Sequence, residues 1–261
     1  MGAGESDEQI WLDIVLPCLD EAGALPAVLS GLPAGSRAIV ADNGSTDASA
    51  EVARGLGATV VAAAPRGYGS ACAAGLDAAT APVVAFADCD ATVDLADVAA
   101  LAVAVRDGAT DLVTTRRRVV GGVDIEPGVG GVDIEPGVGG VDIEPGVGGV
   151  DSPGRSRSAG WPPHARAGAW VVARLLGARA GVLLTDVGPV RIARTEALRS
   201  LGVVDRRSGY PVETVLRAAR AGWRITEAEL PYRPRVGRSK VTGTLAGTLR
   251  AIRDMSAVLA R

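Results

Sequence analysis

Two aspartates separated by a single residue, Asp88 and Asp90, come directly after a short apolar run. The run, Val83 to Ala87, contains β-branched and aromatic residues and is typical of a buried strand. Two carboxylates held this close repel each other unless a cation lies between them, and their hard oxygen ligands suit Mg²⁺ or Mn²⁺. Because such a cation usually also binds substrate phosphates, the pair predicts a metal–diphosphate site. For this motif alone, a pair of capping or turn carboxylates is the alternative.

Other candidate ligand groups also follow apolar runs. Glu21 comes after the first run and its closing Pro17, and Asp42 comes directly after the second. The third run is followed by Gly67 within an Arg-Gly-Tyr-Gly segment, which could contact a phosphate or ribose at the start of a helix. In open α/β sheets, ligands bind beyond the carboxyl ends of the strands. Acids at three such ends therefore favour one shared site.

The elements that would position these groups alternate along residues 10–115. Apolar and β-branched runs predict strands, and the segments between them predict helices. The expected strands are 10–16, 37–41, 59–63, 83–87 and 111–115, and the expected helices are 20–32, 48–56, 70–79 and 95–106. This alternation predicts an α/β fold with a doubly wound, mostly parallel sheet that has helices on both faces.

The chain changes character after residue 118. Residues 123–149 are three identical copies of Val-Asp-Ile-Glu-Pro-Gly-Val-Gly-Gly, a composition that favours a surface loop over a folded element. A stacked β-solenoid is the alternative, disfavoured because each copy has too few apolar residues to build a core. Beyond the repeat we expect helices at 166–176, 209–221 and 242–260 and a strand at 223–229.

The second half carries candidate groups of its own. Asp186 lies in a compact polar loop, and Glu213 lies near the N-terminal end of a predicted helix. Arg235 and Lys240 belong to a basic segment, which fits an anionic partner such as phosphate as well as open solvent. The last predicted helix has apolar residues at helical spacing, which suits either the core or a membrane surface.

Composition excludes several classes of function. With 261 residues, 48% hydrophobic and 22% charged, the chain is globular, and its net charge of −3 argues against nucleic-acid binding. The three cysteines are far apart in sequence, so neither a disulfide framework nor a zinc site is expected. No signal peptide or run of about 18 apolar residues is recognisable, which predicts a cytoplasmic protein.

Taken in order, these motifs resemble the inverting family 2 glycosyltransferases of the GT-A fold, and within them the dolichol- or polyprenyl-phosphate mannosyl- and glucosyltransferases. The resemblance covers residues 10–118 and 161–255. The segments that carry it are Val15-Leu16-Pro17 with Glu21, Asp42-Asn43-Gly44-Ser45-Thr46-Asp47, Arg66-Gly67-Tyr68-Gly69, Asp88-Cys89-Asp90, Thr185-Asp186 with Arg191, Glu213, and Arg235 to Lys240.

The resemblance implies a donor site for a nucleotide-diphosphate sugar of the GDP-mannose or UDP-glucose type. Pro17, Glu21 and Asp42 would hold the base and ribose. Asp88 would contact the nucleotide, and with Asp90 it would form the site for Mg²⁺ or Mn²⁺. The chain departs from the family pattern after Asp90, where the third metal ligand is left unassigned.

The resemblance also implies how the acceptor reacts. Arg116 to Arg118 at the end of the fifth strand, together with Arg191, Arg235 and Lys240, would neutralise the donor diphosphate or an acceptor phosphate. The expected acceptor is a polyprenyl or dolichyl phosphate, whose anionic oxygen needs little help from a base. If the acceptor is a soluble hydroxyl compound instead, Glu213 or Asp186 is the expected base.

The implied organisation is a flexible N-terminus at 1–9, a nucleotide-sugar-binding half at 10–118, a low-complexity repeat loop at 119–160, and an acceptor-side half with a C-terminal amphipathic helix at 161–261. A polyprenyl acceptor would be reached by peripheral contact with the inner face of the membrane. Two other interpretations stay open. One is a sugar-phosphate nucleotidyltransferase, which should have a basic, glycine-rich loop after the first strand, and the other is a non-catalytic binding subunit.

Overall fold

A single sheet organises the computed structural model, which describes residues 9–119, 163–236 and 245–261. Within these ranges seven strands lie in the order β3-β2-β1-β4-β6-β5-β7. All neighbouring strands are parallel except β6, which runs antiparallel to both β4 and β5. The strands are β1 (Leu12–Cys18), β2 (Ser36–Asp42), β3 (Thr59–Ala62), β4 (Val83–Phe86), β5 (Leu112–Val119), β6 (Arg191–Arg194) and β7 (Ile225–Tyr232).

Helices connect these strands and cover the sheet. In the described ranges they are α1 (Leu25–Leu29), α2 (Ser49–Gly55), α3 (Tyr68–Ala78), α4 (Leu95–Arg106), α5 (Pro163–Ala180), α6 (Thr195–Ser200), α7 (Tyr210–Arg220) and α8 (Leu245–Leu259). The predicted α/β class and the mostly parallel sheet are confirmed.

Two hydrophobic cores lie on opposite faces of the sheet. Val15 and Phe86 belong to one core, which also contains residues of α3, α5, α7 and α8. The ring of Phe86 meets the ring of Tyr210 edge-on, with 5.8 Å between their centroids. Ile14 and Leu16 belong to the other core, with residues of α1 and α4. Adjacent residues of β1 alternate between the two cores, as expected for a strand buried on both faces.

Asp13 fixes the amino edge of the sheet. This fully buried carboxylate pairs with Arg37 through two contacts of 2.8 Å, and it also accepts hydrogen bonds from the backbone N–H groups of Thr80 (2.6 Å) and Ala81 (2.8 Å). It thereby ties β1 to β2 and to the loop before β4. The carboxyl ends of these strands are consequently held in register at the opposite edge.

β1 continues one residue beyond Pro17, where we expected it to end. Val15 O accepts a hydrogen bond from Ala87 N on the β4 side, and the pairing of β1 with β4 ends at Val15 and Phe86. Pro17 lies two residues later, so its missing N–H would point toward β4. The pairing between β1 and β4 has already ended there, and proline therefore costs no hydrogen bond between these strands.

The predicted first helix, 20–32, is reduced to α1. Its first residues bind the neighbouring loop instead: Asp20 N donates to Ser45 Oγ (2.9 Å), and Thr46 N donates to Asp20 Oδ1 (2.7 Å). Asp20 has a φ of 53°, which cannot continue a right-handed helix. The short α6 was not predicted. The proposed repeat loop lies outside the described residues apart from residue 119, as does the proposed N-terminal segment apart from residue 9.

Candidate functional site

A cavity of about 320 Å³ opens at the carboxyl edge of the sheet, where β1 and β4 end. One wall is charged and is formed by Glu21, Asp88, Asp90, Arg117, Arg191 and Arg235. A second wall is apolar and comes from α5 and α8, with Ala169, Val172, Ala251, Ile252 and Met255. The cavity therefore joins groups that suit phosphate and a cation to a surface that suits an apolar chain.

Asp90 is held by a tight turn after β4. Its Oδ1 accepts hydrogen bonds from the backbone N–H (3.1 Å) and the hydroxyl (2.6 Å) of Thr92. Ala91, between them, has a φ of 61°, a left-handed conformation that costs a non-glycine residue roughly 1–2 kcal/mol. The other carboxylate oxygen, Oδ2, lies 3.2 Å from Arg235 Nη2. Thr92 therefore orients the carboxylate that the sequence assigns to a metal ion.

Arg235 bridges two acids of the charged wall. Its Nη2 lies 3.0 Å from Glu21 Oε1 as well as 3.2 Å from Asp90 Oδ2. The next residue, Val236, donates its backbone N–H to Asp90 O (3.0 Å), which ties this segment to the turn after β4. Arg235 Nε is buried and has no hydrogen-bond partner within the described residues. Since an unsatisfied buried donor costs about 1–3 kcal/mol, this group is suited to an acceptor supplied by a ligand.

Asp88 lies near both acidic and basic side chains. Burial and the neighbouring Asp90 carboxylate raise the pKa of Asp88 to about 6, although Arg117, Arg191 and Arg235 oppose the shift. The two carboxylates thus repel each other in the absence of a ligand. A divalent cation bound between them would remove this repulsion.

Asp88 and Asp90 are the residues available for such a cation. Over residues 9–119, 163–236 and 245–261, no group of three or more acidic, histidine or cysteine side chains converges to form a metal site. Mg²⁺ in phosphate-binding sites commonly uses one or two carboxylates and completes its shell with water and phosphate oxygens. The two aspartates fit a cation that binds together with a diphosphate, and they do not form a closed metal site by themselves.

Asp186 is engaged by Arg117. Arg117 Nη1 lies 2.8 Å and 2.9 Å from the two carboxylate oxygens, and the backbone N–H of Arg117 donates to Asp186 Oδ2 (3.1 Å). The guanidinium also lies over the ring of Tyr232, 5.3 Å from its centroid. Arg117 lines the cavity and Asp186 does not. The carboxylate is thus placed to orient the arginine.

Arg191 is the first residue of β6 and is only 3% exposed. Its Nη1 donates to Gly188 O (3.0 Å) and its Nη2 to the hydroxyl of Tyr68 (3.0 Å). Its Nε is buried without a partner in the part of the chain that the structure describes. A Cβ at Gly188 would lie 1.5 Å from Thr115 O, so only glycine allows the chain to pass there and direct Arg191 into the cavity.

Asp42 and Gly67 support the site from outside its lining. Asp42 Oδ1 accepts a hydrogen bond from Ser45 N (3.1 Å), which closes the turn after β2. Asn43, which does line the cavity, accepts a hydrogen bond from Gly67 N (2.6 Å) at the start of α3. A Cβ on Gly67 would lie 2.2 Å from Arg206 O, so this glycine is required for close packing.

Glu213 also lies outside the cavity lining. Its Oε2 accepts hydrogen bonds from Val204 N (3.1 Å) and Asp205 N (2.6 Å), and its Oε1 lies 2.6 Å from Arg217 Nε. Burial raises the pKa of Glu213, but these hydrogen bonds outweigh burial and hold the pKa below its usual value. The described contacts therefore use both oxygens to anchor the loop before α7.

The fold brings together seven of the residues that the sequence analysis selected: Pro17, Glu21, Asp88, Asp90, Arg117, Arg191 and Arg235. Four other predicted site residues do not line the cavity: Asp42, Gly67, Asp186 and Glu213. Lys240 lies outside the described residues.

Sequence reasoning missed a pair of cysteines at this site. Cys18 and Cys89 both line the cavity, and their thiols interact. This interaction lowers the pKa of Cys18, while the same interaction and burial raise that of Cys89. Their separation of many residues in the sequence concealed the contact. Knowledge of which strands are neighbours, and in which register, would have revealed it.

The sheet and its helices match the GT-A fold, and acids and arginines lie at the carboxyl edge of the sheet. The family profile described as glycosyl transferase family 2 matches residues 13–129. A protein of Mycobacterium tuberculosis named as an uncharacterized glycosyltransferase is 44% identical over 247 residues, which are 94% of this chain and 96% of the relative. The chain belongs to glycosyl transferase family 2.

More distant proteins match most of the chain at lower identity. A dolichyl-phosphate hexose transferase of Haloferax volcanii is 26% identical over 234 residues, 88% of this chain and 86% of that protein. The glucosyl-3-phosphoglycerate synthase of Mycobacterium tuberculosis, solved with Mn²⁺, UDP and glucosyl-3-phosphoglycerate, has a TM-score of 0.66 at 21% identity. That match covers 95% of this chain and 78% of the synthase. Among the helices that the structure describes, none is both long and apolar enough to cross a bilayer.

Proposed function

We propose that this protein transfers a hexose, with inversion, from a nucleoside-diphosphate sugar to a polyprenyl phosphate, with Mg²⁺ or Mn²⁺ as cofactor. The observation that carries the proposal is the division of one cavity into a charged wall and an apolar wall. The charged wall suits two phosphate-bearing substrates, and the apolar wall suits an isoprenoid chain beside the reacting phosphate. The Haloferax relative, by its name a dolichyl-phosphate hexose transferase, supports this acceptor class.

The donor occupies the charged wall. Asp88 and Asp90 hold the cation, which supplies charge neutralisation for the leaving nucleoside diphosphate. Pro17 and Glu21 lie beside β1 where the base and ribose would bind, with Asp42 behind them. The synthase that shares this fold was solved with UDP and either Mn²⁺ or Mg²⁺, which supports the use of a cation and a nucleotide here.

Arginines stabilise the negative charge that develops as the glycosidic bond breaks. Arg191 and Arg235 each present a buried Nε without a partner among the described residues, and Arg117 is oriented by Asp186. Fixed donors of this kind need little reorganisation during the reaction. The acceptor phosphate oxygen attacks the anomeric carbon from the face opposite the leaving group, which inverts the configuration. Lys240, outside the described residues, would contribute a further positive charge.

A phosphate acceptor also agrees with the contacts of the two candidate bases. Asp186 is paired with Arg117, and Glu213 is paired with Arg217 and two backbone N–H groups. A hydroxyl acceptor needs a carboxylate that can take its proton. A phosphate monoester has a second pKa of about 6 and is already anionic near neutral pH, so it needs little help.

A soluble phosphorylated acceptor is the second candidate. The solved synthase that shares this fold is bound to glucosyl-3-phosphoglycerate, and the three arginines of the charged wall would suit such an anion. This candidate leaves the apolar wall of α5 and α8 without a role. A hydroxyl acceptor of this type would also need a base. Asp186 or Glu213 would then have to be released from its ion pair.

A lipid acceptor would be reached from the inner face of the membrane. Trp170, Val171 and Leu175 of α5 and Leu249 of α8 are exposed by between 47% and 59%. Arg174 lies over the ring of Trp170, 5.5 Å from its centroid. Exposed aromatic and aliphatic side chains beside arginine suit the interface of an anionic bilayer. We therefore propose peripheral attachment of a cytoplasmic enzyme through this α5–α8 surface.

The test is nucleotide release from GDP- and UDP-sugars with Mg²⁺ or Mn²⁺ and three alternative acceptors: a short polyprenyl phosphate, the corresponding polyprenol, and 3-phosphoglycerate. The proposal expects turnover with the polyprenyl phosphate and none with the polyprenol. Asp90→Asn, which can keep the Oδ1 contacts with Thr92, should abolish turnover. Turnover with 3-phosphoglycerate alone would establish the second candidate, and turnover with the polyprenol would show that the acceptor is a hydroxyl.

A further inference from the structure

Cys18 is the last residue of β1, and Cys89 lies three residues after the end of β4. β1 and β4 are parallel neighbours, and Val15 and Phe86 are their last paired residues. Ala87 N also donates to Val15 O at 3.1 Å. Each cysteine lies three residues beyond that last pair, so both reach the same edge of the sheet. Neighbouring strands are about 4.7–4.9 Å apart, which lies within the roughly 4.4–6.8 Å between Cα atoms that a disulfide requires.

The two side chains also point to the same side of the sheet. Leu16 and Cys18 of β1 belong to the core that contains Ala85, Ala87 and Cys89. Both positions thus follow the two-residue period of their own strand toward one face. Their side chains interact, and the residues are 2% and 3% exposed. The shared face, the shared cavity and this interaction place the two sulfur atoms near each other.

The cavity gives access to the pair. Both cysteines line it, although little of either surface meets solvent. A small oxidant can follow the path of the substrate. The remaining cysteine, Cys72, is fully buried in the core on the other face of the sheet and does not line the cavity.

We propose that Cys18 and Cys89 form a reversible disulfide when the protein meets a peroxide, and that this disulfide inactivates the donor site. The first part stands on the geometry of the two cysteines. The second part rests on the proposed function, because it assigns the surrounding acids to the cation and the nucleotide.

The oxidation is balanced with hydrogen peroxide as the two-electron oxidant. The Cys18 sulfur, as thiolate, attacks one peroxide oxygen, the O–O bond breaks, and the products are a sulfenic acid and hydroxide. The Cys89 sulfur then attacks the Cys18 sulfur, the S–O bond breaks, and the thiol proton of Cys89 leaves with the hydroxyl group as water. Both thiols are oxidised, and the peroxide is reduced to two molecules of water once the hydroxide takes the proton first lost by Cys18.

The consequence follows from what lies beside each sulfur. Cys89 separates Asp88 from Asp90, and Cys18 follows Pro17 and precedes Glu21. The two sulfur atoms must approach to about 2.05 Å to form the disulfide. This movement draws the turn that carries Asp90 toward β1. A misplacement of about 1 Å is enough to cost a positioned site as much as 100-fold, so we expect a large effect.

The experiment combines disulfide mapping with nucleotide binding on the full chain. The reduced protein is treated with hydrogen peroxide, free thiols are alkylated, and peptides are identified by mass spectrometry. We expect a Cys18–Cys89 linked peptide that disappears after dithiothreitol. In parallel, calorimetry with Mn²⁺ and UDP or GDP should show binding weakened by at least about tenfold after oxidation and restored by the reductant.

Four single variants supply the controls. Cys72→Ser should respond to peroxide as the wild type does. Cys18→Ser and Cys89→Ser, each compared with its own untreated form, should keep their nucleotide affinity after peroxide, and Cys18→Ala repeats the first in case the buried serine destabilises the fold. Thermal melting checks that each variant is folded.

The outcomes separate the two proposals. Absence of a Cys18–Cys89 peptide at excess peroxide would overturn the disulfide, and a linked form with unchanged nucleotide affinity would overturn its effect on the site. If the reduced protein binds neither nucleotide, the proposed function and the effect of the disulfide on it fail together, while peptide mapping still decides the disulfide itself.

Discussion

Replacement of Arg235 with methionine tests how the donor and the cation share the charged wall. Methionine keeps an apolar stem of similar length and removes the charge and every hydrogen-bond donor. In the structure, Arg235 neutralises Glu21 and Asp90 at 3.0 Å and 3.2 Å. A cation that binds Asp90 must displace this contact, so the variant should bind Mn²⁺ alone more tightly. It should bind a nucleoside diphosphate with Mn²⁺ more weakly, because one partner of the diphosphate is lost.

The magnitude can be worked from these distances. Two unit charges 3.2 Å apart interact with roughly 5 kcal/mol at an effective dielectric constant of about 20. Arg235 is 28% exposed on its side chain, so water screens part of this energy. Hydrogen bonds to charged groups contribute about 1.5–3 kcal/mol in proteins. We therefore expect the affinity for nucleoside diphosphate with Mn²⁺ to fall about 10- to 150-fold.

Arg233→Met is the matched control. Arg233 lies on the same segment after β7, and its ion pair with Asp94 (3.1 Å) is 53% and 29% exposed and outside the cavity lining. This substitution should change either affinity by less than about threefold, because exposed ion pairs contribute at most about 1 kcal/mol.

The assay is isothermal titration with Mn²⁺ alone, and then with UDP or GDP at saturating Mn²⁺. The signature is an opposite change in the two affinities of Arg235→Met. If both affinities fall together, Arg235 supports the cation site and does not compete with the cation. If neither changes, or if Arg233→Met has an equal effect, the assignment of Arg235 to the diphosphate is wrong.

Three further outcomes are expected. Gly188→Ala should destabilise by about 3 kcal/mol in urea unfolding, because its Cβ would overlap Thr115 O, whereas Gly55→Ala, in open space on α2, should be neutral or stabilising. Glu213→Gln should cost about 1–3 kcal/mol at pH 7. Since the folded pKa of Glu213 is lowered, its stabilisation is complete above the unfolded pKa and fades as pH falls through the folded value. The difference from wild type should then shrink in acid, and a constant difference would contradict this. Leu175→Glu should reduce co-sedimentation with phosphatidylserine vesicles while leaving the affinity for nucleotide and Mn²⁺ unchanged; retained vesicle binding would reject the α5–α8 surface.

Parallel strands made much of this fold predictable from local patterns. Each of the runs that end near Pro17, Asp42 and Asp88 carries its own signal, and their carboxyl ends must meet at one edge. The antiparallel β6 was harder to predict because it lies between β4 and β5, far from both in sequence. Arg191 could be named as a candidate, whereas its contacts with Tyr68 and Gly188 depend on that insertion.

Contacts between side chains account for the remaining differences between the sequence predictions and the structure. The sequence identifies Asp186 and Glu213 as acids near candidate loops, but it does not say which arginine each one meets. The structure gives them Arg117 and Arg217, and these contacts change the role that each acid can take. The same limit concealed the contact between the two cysteines, since register between β1 and β4 is a property of the whole sheet.

The charges of the cavity explain why donor and cation should bind together. Without ligands, Glu21, Asp88 and Asp90 face Arg191 and Arg235, while Arg117 is neutralised by Asp186. A diphosphate alone would add negative charge beside three carboxylates, and a cation alone would compete with Arg235 for Asp90. If both bind as proposed, a cation at Asp90 would make Arg235 available to the diphosphate, so each ligand would remove the obstacle to the other. On this assignment, the bridge formed by Arg235 predicts cooperative binding of the two, which would favour the complete donor complex over either part of it.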